Sequence, residues 1–167
     1  MRRNRSVRGF TLVELLVVVF IIGLLASVVT ISASSARAQS RDAKRKSDLQ
    51  LVASSLELYY AAQREYPDAF AQWQWATLRT ALVPDYASSV ASDPLTARPD
   101  GDYEKGGYVY RTDSASGKFV LDATLERSDE AVTMTGSFNA TDPSSATFFQ
   151  SGTYDAAGKI HYRVSGQ

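Results

Sequence analysis

The sequence predicts an α+β fold, a long N-terminal helix packed on a C-terminal head built around an antiparallel β-sheet. Three observations predict it. A run of 22 residues, Phe10–Ile31, holds one ionisable side chain, Glu14. Apolar residues then recur at helical spacing with no proline before Pro67. After Pro67 the pattern changes to short alternating segments separated by Gly, Ser and Asp turns. The 167 residues suit one ordinary domain, or a smaller domain with an appendage. The 18 basic and 18 acidic residues argue against disorder and against a uniformly basic nucleic-acid binder, so direct nucleic-acid binding is not indicated. With no cysteine and one histidine, disulfides, a thiolate nucleophile and zinc centres built on Cys or several His are excluded.

The first segment, residues 1–9, carries Arg2, Arg3, Arg5 and Arg8 and no acid. The apolar run behind it, residues 10–31, would span roughly 33 Å as a helix, enough to cross a bilayer core. Four arginines before it place that end in the cytoplasm. A soluble buried helix would seldom be apolar on every face over six turns. A conventional secretory signal is a second alternative, with Ala36-Arg37-Ala38 as a small-x-small cleavage site. Against it, the run exceeds the usual apolar region and a carboxylate interrupts its start.

Residues 32–66 continue the helix. Ser32–Ser35 is a small, polar stretch expected as a hinge, and Gly23 is a second soft point. Arg37, Arg41, Lys44, Arg45 and Lys46 form a basic cluster opposite few acids. It is expected to meet headgroups or acidic patches on neighbouring copies, or to be a solvated face. Leu49, Val52, Ala53, Leu56 and Tyr60 make an apolar stripe. One helix from about Thr11 to about Gln63 would be near 80 Å long.

Residues 67–167 form the expected head. Trp75, Leu78 and Leu82 predict a short helix ended by Val83-Pro84. Strands are expected at Tyr108–Arg111, Lys118–Glu126, Val132–Phe138, Thr147–Tyr154 and Ile160–Val164, with a hairpin loop at Asp113–Gly117. In the second strand Phe119, Leu121, Ala123 and Leu125 fall on one face and Lys118, Asp122, Thr124 and Glu126 on the other. Trp73-Gln74-Trp75 and Tyr59-Tyr60 suit either an adhesive surface or the core. No catalytic motif appears, so no enzyme is expected. His161, in an expected strand, reads as a surface or packed residue.

The order Arg8-Gly9-Phe10-Thr11-Leu12-Val13-Glu14-Leu15-Leu16 closely resembles the signal of type IV prepilins and type II secretion pseudopilins. The resemblance implies cleavage after Gly9 by a prepilin peptidase and N-methylation of Phe10. It also implies a filament whose subunits engage through the N-terminal helix, Glu14 pairing with a neighbour's N-terminus. Thr11 and Glu14 equally fit a capping box at the helix start. A carboxylate central in an apolar span costs about 2.5–3.5 kcal/mol on the insertion scale, so Glu14 should have a partner. The expected partners are further copies, minor pilins, the peptidase, inner-membrane assembly machinery and, before assembly, lipid. The expected location is the inner membrane, then a cell-surface or periplasmic filament. The head order Tyr66-Pro67, Leu82-Val83-Pro84, Asp93-Pro94 and Phe119–Glu126 is similar to G-type pseudopilins and short pilins, a pilin-like fold.

No motif calls for a cofactor. Calcium is the one metal the resemblance brings into view, with Asp93, Asp100, Asp102 and Glu104 as candidate oxygen ligands. Their spacing is not that of an EF-hand loop, and acidic turns are common without metal. A monomeric anchored or secreted binding module using the head alone is the alternative function.

Overall fold

The computed structural model describes residues 9–68, 74–113, 117–128, 131–134, 150–156 and 159–166, apart from the side chains of residues 28–32 and 113. The element order is α1 (Leu12–Gln63), α2 (Ala76–Leu82), β1 (Val109–Asp113), β2 (Lys118–Thr124), β3 (Gly152–Ala156) and β4 (Lys159–Gly166). The chain divides into two compact units, Met1–Arg37 and Ala38–Gln167. Gly23 and Ser32–Ser35, expected as soft points, are helical within α1.

In the first unit Phe10, just ahead of α1, is 84% exposed, and the apolar side chains from Leu12 to Leu25 are exposed on every face of α1, none below the 47% of Val17 and Val18. Among the described residues no helix is long and apolar enough to cross a membrane. Part of the expected span, the side chains of residues 28–31, lies outside them.

In the second unit the predicted stripe becomes the core. Leu49 and Leu56 are fully buried and Val52 is 4% exposed, while Ala53 and Tyr60 pack at the margin. The four strands form one antiparallel sheet in the order β1-β2-β4-β3. Registers Tyr110↔Leu121 and Leu121↔Val164 put these three side chains on one face. With Phe119, Ala123 and Tyr162 they pack on the α1 stripe. Trp75, Leu78 and Leu82 close the same core from the start and inner face of α2, the Trp75 indole donating to the Ala91 carbonyl at 2.8 Å. Tyr59 and Tyr60 contact Tyr86 and Tyr66, which favours the core reading of that pair, and Trp73 lies outside the described residues.

One expectation needs correction, and the face that alternation left open turns out to be covered. The face of β2 carrying Asp122 and Thr124 is buried too, because β3, β4 and Tyr103 bring polar partners to it. Alternation reported the pleat correctly but not the solvent. Val132–Met134, expected within a strand, belongs to no strand; Thr133 and Met134 both donate to the Thr153 carbonyl, at 2.9 and 3.0 Å. The rest of that expected strand, and residues 147–149 of the next, lie outside the described residues.

Leu56→Ala is expected to destabilise the head by about 2–5 kcal/mol, the usual cost of emptying a core site. Leu51→Ala, at a position 64% exposed, should stay within about 0.5 kcal/mol. Equilibrium denaturation of the full chain in detergent compares the two.

Candidate functional site

The N-terminal segment places its predicted residues in sequence order at the start of α1. Gly9 and Phe10 precede the helix and are exposed. A Cβ built at Gly9 would meet nothing within 4 Å, so packing does not require glycine there. Thr11 is the N-cap. Its hydroxyl accepts from the Glu14 amide at 3.2 Å, while Glu14 Oε2 accepts from the Thr11 amide at 3.0 Å and hydroxyl at 2.8 Å. This reciprocal capping box satisfies helix-start donors that would otherwise be orphaned. It occupies Glu14 Oε2.

The basic cluster was expected to look outward, and most of its charge is instead spent inside the second unit. Arg45 is fully buried. Its Nε and Nη2 donate side-on to Asp93 at 2.7 and 3.0 Å, and its Nη1 donates to Asp42 and Glu126, each at 2.7 Å. Arg41 also grips Glu126, and Lys44 pairs with Asp48 four residues on at 2.8 Å. Asp42 in turn accepts the backbone amides of Glu126 and Arg127. Burial works to lower the Arg45 pKa, but the hydrogen bonds that it donates to Asp93, Glu126 and Asp42 leave it raised. Hydrogen bonding from Arg41, reinforced by Arg45 against a smaller burial effect, holds the Glu126 carboxyl down at about 2.

The comparisons with known proteins connect both regions. Residues 4–30 match the family model of the prokaryotic N-terminal methylation motif. The type II secretion system core protein G of Klebsiella michiganensis is 32% identical over 106 residues, covering 64% of this chain and 74% of the relative. The protein of the same description from Escherichia coli K12 is 30% identical over 111 residues, covering 66% and 67%. The chain belongs to the type II secretion core protein G family. Its relative from Pseudomonas aeruginosa is 38% identical over 66 residues, 40% of this chain and 45% of that protein. No solved structure matches. The chain is thus a pseudopilin-like structural subunit of the type IV prepilin superfamily, with the expected α+β pilin-like arrangement.

Within this pseudopilin the calcium candidates do not gather. Both Asp93 oxygens are taken by Arg45, and Asp93 Oδ1 also accepts the Leu95 amide. Asp100 accepts the Asp93 amide, Asp102 pairs with Lys105 at 3.0 Å, and the Glu104 side chain is exposed. Among the described residues no group of three or more His, Asp or Glu side chains could hold a metal. The cation that Asp93 meets is the Arg45 guanidinium.

A further cluster of buried polar side chains lies on the far face of the sheet. Asp122 is 1% exposed and accepts from Arg163 Nε at 2.7 Å and Tyr154 at 2.5 Å, with His161 Nδ1 at 2.9 Å. The His161 ring stacks between Tyr103 and Tyr154. Arg163, then His161, hold the Asp122 pKa down against its burial, and burial pushes Tyr103 up to about 12. His161 is therefore packed, as one of the two expected alternatives had it.

Arg45→Ala strands buried carboxylates and is expected to cost about 3–5 kcal/mol. Lys44→Ala removes a half-exposed lysine from Asp48, a buried carboxylate that keeps the Tyr108 hydroxyl at 2.9 Å, and should cost about 1 kcal/mol or less. Denaturation midpoints compare them. Because the Glu126 pKa is depressed from 4.5 to about 2, its stabilisation is fully present above about pH 4.5 and lost as pH falls through 2. Glu126→Gln should flatten the acid limb of a stability-against-pH curve over that window.

Proposed function

We propose that the chain is a membrane-inserted filament subunit, cut between Gly9 and Phe10 and N-methylated at Phe10 by a prepilin peptidase. Its apolar helix lies in the inner membrane with the N-terminus in the cytoplasm. It then enters a pseudopilus or pilus, together with further copies, minor subunits and the assembly machinery. The observation that carries this reading is the first unit of α1. A helix apolar on all sides, with side chains from Phe10 to Leu25 exposed, finds no partner for them among the described residues of its own unit and needs lipid or other copies. The single-charge run from Phe10 to Ile31 supports a bilayer span.

The processing reading is supported by Gly9, whose small size serves no packing purpose. Glycine there suits a narrow approach to a peptidase. In the filament, Glu14 would reach the protonated amine of a neighbouring Phe10 with Oε1, while Oε2 keeps its bonds to Thr11. That contact places a carboxylate against a charge that the positive end of the helix dipole disfavours.

Intact mass measurement of the native protein is expected to show a chain starting at methylated Phe10. A start at Met1 overturns the processing reading, and a start near Gln39 supports conventional secretion. Gly9→Phe should block cleavage and assembly while leaving the head melting temperature unchanged. Glu14→Gln separates cap from charge, since glutamine also serves a capping box. It should leave processing intact and lower filament yield at least tenfold; normal yield would show that the charge is not used.

A further inference from the structure

The head carries opposite charge at its two ends. Where β2 finishes and β4 begins, a cavity of about 220 Å³ is lined by Arg98, Lys105, Arg127 and Lys159, with Glu126 and Ser128. These are four of only nine basic residues in Leu49–Gln167, a stretch with fifteen acids. Glu126 is already neutralised by Arg41 and Arg45. Arg98 and Lys159 are held by the carbonyl oxygens of Thr124 and Glu104, at 2.6 and 3.0 Å. Carbonyls position these cations without cancelling their charge, while Lys105 bridges Asp102 at 3.0 Å in an exposed pair that an incoming carboxylate can exchange.

At the other end α1 finishes with no basic residue in its last turn, so the negative end of its dipole is uncompensated within the helix. Glu57, Glu65, Asp68 and Asp85 are exposed around it, against the exposed cations Arg64 and Lys118. Glu57 lies beside Gly166, which pairs with Phe119, whereas Arg45 holds Glu126. Twelve residues of α1 and seven of β2 separate these points, and both rulers give roughly 20 Å.

We propose that the basic cavity of one head receives the acidic helix end of the next copy, with Glu65 and Asp68 facing Lys105 and Lys159. The two patches are different surfaces at opposite ends of one unit. Their contact is heterologous, repeats from copy to copy, and has no reason to close into a dimer. The proposal rests on the filament reading above and names the surface through which heads meet.

Charge reversal in the full chain, expressed in place of the native copy, tests it. Lys105→Glu with Lys159→Glu, and separately Glu65→Lys with Asp68→Lys, should each lower the yield of pelletable filaments at least tenfold. All four together should restore at least half of it. The cysteine-free background offers a second readout. Ser128→Cys with Glu65→Cys should give an oxidised ladder of multimers, and each single variant no more than dimers. Filaments unaffected by reversal, or not recovered by the swap when the heads melt at the wild-type temperature, overturn the contact. So does an absent ladder in assembled filaments. A wild-type chain that is processed but never forms filaments overturns the filament reading and the contact with it.

Discussion

The head depends on one buried guanidinium. Arg45 sits on α1, yet its partners come from three places in the chain: Asp42 on the same helix, Asp93 before α2's trailing loop turns back, and Glu126 just past β2. Four hydrogen bonds engage four of its five N–H donors, on both sides of the fork. A planar, permanently charged group is suited to this, because it can meet one carboxylate side-on and two others from its far nitrogen. A lysine at the same position would offer a point charge and lose that geometry. The registration of helix against sheet is therefore set at this point, and the apolar stripe from Leu49 to Leu56 continues the contact it begins.

A buried carboxylate, Asp122, does for the far face of the sheet what Arg45 does for the near one. Antiparallel sheets commonly leave one face to water. Here Arg163, His161 and Tyr154 converge on Asp122 from β4 and β3, and Tyr103 covers them from a loop. A tight turn makes that loop possible. Gly107 has the Pro99 carbonyl so close that a Cβ would lie 2.0 Å from it, so the chain around Asp102 folds back only on glycine. No buried side-chain nitrogen or oxygen among the described residues lacks a hydrogen-bond partner.

The long helix, the short helix and four strands were legible because each rests on periodicity or a stop signal. The capping box was legible because Thr11-x-x-Glu14 is a local pattern. The fate of Arg45 was not, although a clue was present: positions 42, 45, 49, 52 and 56 share the 3–4 spacing of one face. Charged residues on the core-facing stripe must be paired inside. Their partners, fifty and eighty residues away, carry no local signal. The burial of Asp122 escaped for the same reason, since alternation tells which side a residue faces and says nothing of what covers that side.

The sheet order has a consequence for how the chain is made. β4 follows β1, β2 and β3 in the chain, yet it lies between β2 and β3 and bonds to both. A polypeptide emerging N-terminus first, from a ribosome or through a membrane pore, exposes β2 without its inner neighbour until residues 159–166 arrive. Before that moment β3 has no strand to pair with and Asp122 has neither Arg163 nor His161. Pairing of β3 and completion of the Asp122 cluster therefore both wait on β4.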